Sequence, residues 1–446
     1  VPEAEPLAPA PNGELIDYPA VAARRLKLLE AAFERFRKHH LEGGGTRLGA
    51  AFRAFVAEGG AALHRHCLFD ALHERQVAQN RARWAWWQWP EGCRSPDRPE
   101  AQAFAREQGQ RIEFLMWLQW QGEEQLGRVQ ARAREAGMRL GLYRDLAVGV
   151  NPAGSLGWSA PELVIRKAAI GAPPDEFSPQ GQNWGIAPLA PRALQEQGFA
   201  AWIADIRANM RHAGALRIDH AMGLRRLFWI PEGGGPGDGT YVRYPFTAHL
   251  AILAIESHRA GCLVIGEDLG TLPRGFRPAL RRAGILSSRV LYFERERSGS
   301  FGSARRYRHA SVASIGTHDL PTLRGFLAGQ DISWRERLDL FATPDGAEEA
   351  RRERAEDRER LLRLLRRADL LPAEGDDPDQ PLHGTLVHDQ HCRRRQAEGR
   401  PHHAARHRLR RRQGHQGGRG LDRRRQDLDT GQARQGPRQI RLPRME

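Results

Sequence analysis

Apolar residues recur at helical spacing through the first third of the chain and at strand spacing after it. Ala22 to His40 ("AARRLKLLEAAFERFRKHH") places apolar side chains three and four apart, which predicts an amphipathic helix. Phe52 to Glu74 predicts another helix, broken near Gly59-Gly60. "RWAWWQWPEG", Arg83 to Gly92, is dense in tryptophan. The burial preference of aromatics favours a packed core or a proline-ended turn there, with a sugar-stacking platform as the functional alternative. Arg111 to Ala136 predicts a long helix with "FLMWLQW" on its apolar side.

From Met138 the pattern becomes an alternation of strands and helices. "RLGLYRDLAVGV" reads as a strand and turn, and "GALRID", "CLVIGED", "SSRVLYFE" and "HASVASIGTHD" read as strands. "YVRYPFTAHLAILAIESHRAG" reads as a turn feeding a helix. Short apolar strands separated by helical material predict a parallel sheet covered on both faces. No short internal repeat is found. The reading divides the chain into a loose segment (1–14), a helical region (15–137), a βα core (138–388) and a tail (389–446).

Charge changes the picture only at the tail. Residues 389–446 hold 17 Arg against 6 Asp and Glu, while the other 388 residues hold 52 basic and 48 acidic groups. The net charge of +15 therefore says little about the body, which makes no case for nucleic-acid binding. The tail is poor in apolar residues and has no sustained period, so it is expected to be disordered. It reads as a GC-rich gene out of frame or a fused foreign end; a nucleic-acid or acidic-surface arm is the alternative. No run of about 18 apolar residues predicts a membrane span, and Val1 opens a Pro/Ala/Glu-rich stretch without the apolar segment of a signal peptide. Cys67, Cys93, Cys262 and Cys392 are scattered without paired spacing, which fits a reduced cytoplasmic protein.

Three strands end in carboxylates: "ALRID" at Asp219, "CLVIGED" at Glu267-Asp268 and "ASIGTHD" at Asp319. They are 48 and 52 residues apart, room for at least one βα unit each. In a parallel α/β barrel the strand C-termini share one face, so these acids would converge. Converging carboxylates suit a divalent-metal site or glycoside chemistry. The neighbours favour the second. Arg217 lies two residues before Asp219 and so projects to the same side, where its charge would keep Asp219 ionised. His318 can donate to a sugar hydroxyl, and tryptophans can stack on sugar rings. His212 and His220 read as packing or hydrogen-bonding residues, Asp268 as an orienting acid, and Asp145 as a structural or sugar-binding residue of the same rim.

These motifs resemble the 4-α-glucanotransferases (amylomaltases, disproportionating enzymes) of glycoside hydrolase family 77. The resemblance is carried by "GLYRDLAVGV" (141–150), "GAPPDEFSPQGQNWG" (171–185), "ANMRHAGALRIDHAMGLRRLFWIPEG" (208–233), "YVRYPF" (241–246), "LVIGEDLGTLP" (263–273), "VLYFE" (290–294) and "THDLPTLRGF" (317–326). It runs from about Leu15 to His388. It implies a (β/α)8 TIM-type barrel with helical insertions. It implies Asp219 as nucleophile, Glu267 as general acid/base, and Asp319 as the third carboxylate that holds sugar hydroxyls. Arg217, His318 and Asp145 would bind substrate beside them, and Gln182 and Trp184 would belong to a mobile loop closing over the donor. The implied reaction is a retaining double displacement on α-1,4-glucans and maltooligosaccharides, with glucose or maltose among the acceptors and the two key carboxyls about 5 Å apart. No metal and no organic cofactor is implied.

The chain departs from the family pattern at both ends. Family members carry a segment ahead of the position of Val1, and they end in an apolar region with an "NxPGT…NWRRR/K"-like signature; neither is found here. The expectation is a barrel lacking its N-terminal start and normal C-terminal end. The readings that follow are an active transferase, an inactive fragment that binds glucan, and an α-glucan hydrolase using the same residues.

Overall fold

A computed structural model describes residues 16–368 apart from 44, 176, 177, 179 and 342. The segments 1–14 and 389–446, Cys392 and both expected departures at the chain ends lie outside the described residues. No described helix is long and apolar enough to cross a membrane.

Four helices come first: α1 (Tyr18–Phe36), α2 (Arg47–Gln79), α3 (Pro99–Glu107) and α4 (Gly109–Glu135). The Asp17 carboxylate caps α1 by accepting from the Ala20 N–H at 3.0 Å, and the Thr46 hydroxyl caps α2 through the Gly49 N–H at 3.1 Å. Helix α2 kinks at Gly60, whose φ of 49° and ψ of −139° suit glycine alone, at the break expected from the Gly59-Gly60 pair. The four helices share a core of Phe33, Phe52, Leu68, Trp89, Trp117 and Trp120. The tryptophan motif is divided: Trp89 is fully buried, while Trp84 is 54% exposed.

The strands follow as β1 (Tyr143–Leu146), β2 (Ala168–Ala172), β3 (Gln182–Asn183), β4 (Ala215–Ile218), β5 (Arg226–Pro231), β6 (Thr240–Arg243), β7 (Leu263–Gly266), β8 (Leu286–Val290) and β9 (Ser311–Ser314). Eight further helices are α5 (Ser155–Ser159), α6 (Pro191–Glu196), α7 (Ala200–Met210), α8 (Phe246–Ala260), α9 (Phe276–Arg282), α10 (Leu323–Leu327), α11 (Gln330–Arg337) and α12 (Gly346–Arg367). One parallel sheet has the order β1-β4-β7-β8-β9. Helices α7, α8 and α9 cover one of its faces, packing Ile206, Met210, Leu253 and Leu280 on Leu216, Ile218 and Val264. Beyond β9, α10 and α12 bury Phe326, Leu361 and Leu365 against Val290 and Tyr292.

The described residues supply five parallel strands, fewer than the eight of the expected barrel, and no strand pairs with the outer side of β1 or β9 among them. A second, antiparallel sheet of order β3-β2-β5-β6 was not expected. "YVRYPF", read as a turn, opens inside β6, where Val242 pairs with Leu227. The two-residue β3 and the Ala/Gly-rich β2 carry no local strand signal; cross-strand partners make them strands.

Candidate active site

Arg217 stands in β4 between the buried Leu216 and Ile218, so it projects from the opposite face. The parallel register sets Asp145 of β1 beside it. Its Nη1 lies 2.8 Å from both oxygens of Asp145 and 2.7 Å from Asp219 Oδ1. One guanidinium, only 13% exposed, thus serves two carboxylates from adjacent strands.

The same sheet sets a second pair of carboxylates. Ile218 pairs with Gly266, and Asp219 and Glu267 are the next residues of their chains. They emerge side by side at the C-terminal edge of the sheet, where open α/β folds bind ligands. The Glu267 N–H donates to Ile218 O at 3.0 Å, and the Asp219 N–H to Leu146 O at 3.1 Å. Glu267 Oε2 accepts from the His220 N–H at 3.0 Å and Oε1 from the Leu269 N–H at 2.9 Å.

Burial raises the Glu267 pKa above the ordinary glutamate value; the Leu269 N–H and Arg217 pull it back in part, and the Asp219 charge adds to the rise. The Asp219 pKa is also raised, first by burial, against which Arg217 pulls down and Asp145 and Asp319 push up. Arg217 acts on Asp219 in the expected direction, and it moderates a rise that burial dominates.

His220 takes a left-handed φ of 42°, uncommon for a residue with a side chain, and this turns its amide onto Glu267. Its ring meets Trp184 edge to face at 5.1 Å, and burial lowers its pKa to about 4, so it is neutral at pH 7. Trp184 Nε1 donates to Gln182 Oε1 at 2.9 Å. The "GQNWG" loop is therefore joined to the acid through His220, a link that only the backbone conformation reveals.

Asp319 and His318 lie on the loop after β9 and are each 68% exposed. His318 Nε2 is 3.3 Å from Asp319 Oδ1, and its Nδ1 is 4.0 Å from Asp145 Oδ2. A loop leaving one edge strand of the parallel sheet thus reaches a side chain on the other edge strand. Tyr292 steadies that loop: its ring stacks on Phe326 at 4.3 Å and its hydroxyl donates to Pro321 O at 3.3 Å. "VLYFE" and "THDLPTLRGF" were separate motifs in the sequence; their contact was not readable there. His212 bonds Glu123 of α4 at 2.9 Å, away from the carboxylates.

Asp268 follows Glu267 and so points the other way, into the protein, where it is wholly buried. It accepts from Arg277 Nε at 2.7 Å, from the Ser288 N–H at 3.0 Å and from the Ser287 hydroxyl. Asp268→Ala is expected to lower unfolding stability by about 3 kcal/mol, the low end for breaking a buried pair, because Arg277 can return to water. Urea titration measures it; a loss below about 1 kcal/mol would show that these donors rehydrate freely.

A family model described as 4-alpha-glucanotransferase matches residues 3–393. The chain belongs to the 4-alpha-glucanotransferase family. The 4-alpha-glucanotransferase of Mycobacterium tuberculosis is 42% identical over 335 residues, covering 74% of this chain and 45% of that one. The Haemophilus influenzae 4-alpha-glucanotransferase is 38% identical over 380 residues, covering 84% and 54%. The crystal structure of amylomaltase from Corynebacterium glutamicum is similar with a TM-score of 0.66 at 34% identity, over 83% of this chain and 49% of that one. The fold of Streptococcus agalactiae amylomaltase, solved with acarbose, is similar with a TM-score of 0.64 at 20% identity, over 85% and 69%. The chain spans about half the length of the curated relatives it matches.

Proposed function

We propose that this chain carries the catalytic centre of a 4-α-glucanotransferase acting on α-1,4-glucans and maltooligosaccharides, with sugars such as glucose and maltose as acceptors. The observation that carries the reading is the pair Asp219 and Glu267 at neighbouring strand ends, with Arg217 held between Asp219 and Asp145. In this reading Asp219 attacks the anomeric carbon while Glu267 gives its proton to the departing glycosidic oxygen. The bond to Asp219 is a covalent glycosyl ester. Glu267, now ionised, takes the proton of an incoming sugar 4-hydroxyl, whose oxygen displaces Asp219. The raised pKa of Glu267 supports the proton-donor role. Arg217, Asp145, His318 and Asp319 would hold the hydroxyls of the sugar under attack. Gln182 and Trp184 would cover the donor, keeping water from the ester so that a sugar accepts it.

The finer architecture is part of the proposal: the parallel strands belong to a (β/α)8 barrel, with the helical region 15–137 as its insertion and 138–388 as its core. The 4.0 Å approach of His318, after β9, to Asp145 of β1 supports this, because a flat sheet would keep its two edges apart. The buried, unpaired Cys67, Cys93 and Cys262 fit the reducing cytoplasm.

The test is incubation of the chain with maltotriose, with products resolved by length. Glucose together with maltopentaose and longer chains is expected; glucose and maltose alone would replace the transferase reading with a hydrolase. The pH profile of kcat/KM gives a second check. Activity rises as Asp219 loses its proton and falls as Glu267 loses its own. Both groups sit above their ordinary values, so both limbs are expected at higher pH than free aspartate and glutamate would give. Arg217→Met removes a cation that lowers both groups, and both limbs should move further up. Unmoved limbs would remove Arg217 from the electrostatics of the site.

A further inference from the structure

The tryptophan motif is divided by what its indole N–H groups do. Trp86 Nε1 donates to Pro152 O at 3.1 Å, and Trp89 Nε1 donates to Arg83 O at 3.0 Å. The indole N–H of neither Trp84 nor Trp87 is hydrogen-bonded among the described residues. Trp84 is 54% exposed, and its ring stands 6.2 Å from that of Trp87, inclined at 70°. The Arg166 guanidinium lies over the Trp87 ring at 4.9 Å and has no carboxylate partner among the described residues. The patch is built on fixed backbone. Lys167, next to Arg166, accepts from the Glu232 N–H at 2.9 Å, and His73 bonds Trp84 O at 3.0 Å.

A surface with a half-exposed indole, two indole donors without protein partners and a guanidinium without a carboxylate matches a ligand with flat C–H faces and a rim of hydroxyls. A neutral saccharide has that chemistry. An anionic polymer would need several cations. The neighbouring Arg83 and Arg94 are instead turned to Gln76 Oε1 at 3.1 Å and Trp89 O at 2.7 Å. We propose that Trp84, Trp87 and Arg166 form a second, non-catalytic α-glucan site that holds long chains to the protein. The choice of an α-glucan rests on the function proposed above; the recognition surface does not use Asp219 or Glu267.

Such a site raises the local concentration of long substrates and leaves short ones unaffected. The test is native electrophoresis in gels containing glycogen, with wild type, Trp84→Ala, Arg166→Gln and Asp219→Asn. Wild type and Asp219→Asn are expected to be retarded alike. Trp84→Ala should bind glycogen about tenfold more weakly, as removal of a tryptophan anchor does, with its thermal midpoint and maltotriose turnover unchanged. Arg166→Gln should fall between. Equal retardation of wild type and Trp84→Ala, or none for wild type, overturns the site. Retardation by nucleic acid that fades with salt, and none by glycogen, overturns it as well. Trp84-dependent retardation without disproportionation by wild type would overturn the catalytic proposal and leave this site standing; disproportionation without Trp84 dependence does the reverse.

Discussion

Asp219→Asn is expected to lower disproportionation of maltotriose on the order of 10^4-fold or more while leaving the fold intact. The amide is the same size as the carboxylate but cannot attack the anomeric carbon. Arg217 keeps Asp145 at 2.8 Å, so the guanidinium stays in place and paired. Burial raises the Asp219 pKa, which means that its charge is costly where it sits, so a neutral residue there should not reduce stability. The measurement pairs product analysis with a thermal unfolding curve. Turnover within tenfold of wild type would remove Asp219 as nucleophile. A collapsed unfolding midpoint would instead make it a structural acid.

Gly214→Ala is expected to cost about 4 kcal/mol of stability and with it the site, the largest effect expected outside the carboxylates. A Cβ at Gly214 would lie 1.7 Å from Leu140 O and 2.5 Å from the Leu140 carbonyl carbon, both rigid backbone atoms. Three chain segments meet there: the Gly214 N–H donates to Leu142 O at 2.9 Å, and Gly214 O accepts from the Leu263 N–H at 3.0 Å. Making room means parting the entries to β1, β4 and β7. Those strands set Arg217 against Asp145 and Asp219 against Glu267. A urea midpoint shifted at unchanged slope would show a loss of stability alone. A wild-type midpoint would show that the Leu140 segment can move without disturbing the sheet.

Periodicity placed the long helices and the strands that end in Asp219 and Glu267, and the glycine pair placed the Gly59-Gly60 break, because hydrophobic spacing and glycine content are local properties. The alternation of side chains along a strand also put Arg217 with Asp219. The resemblance named the acids. The tertiary structure decided what each side chain meets. The Asp145–Arg217 pair comes from a register between residues 72 positions apart. Asp268 finds Ser287 and Ser288 on the next strand, and the Glu267 oxygens find amides at His220 and Leu269. The antiparallel sheet exists because distant partners pair, and one tryptophan motif holds both a fully buried ring and a half-exposed one. Acid strength shows the same division. Asp219 carries its cation two residues away in sequence, yet its pKa is set first by desolvation, and desolvation depends on everything packed around the group. By itself the sequence determined which residues stand at the strand ends; only packing decided which of them are buried, paired and aimed at one another, because register and burial arise between segments far apart in the chain.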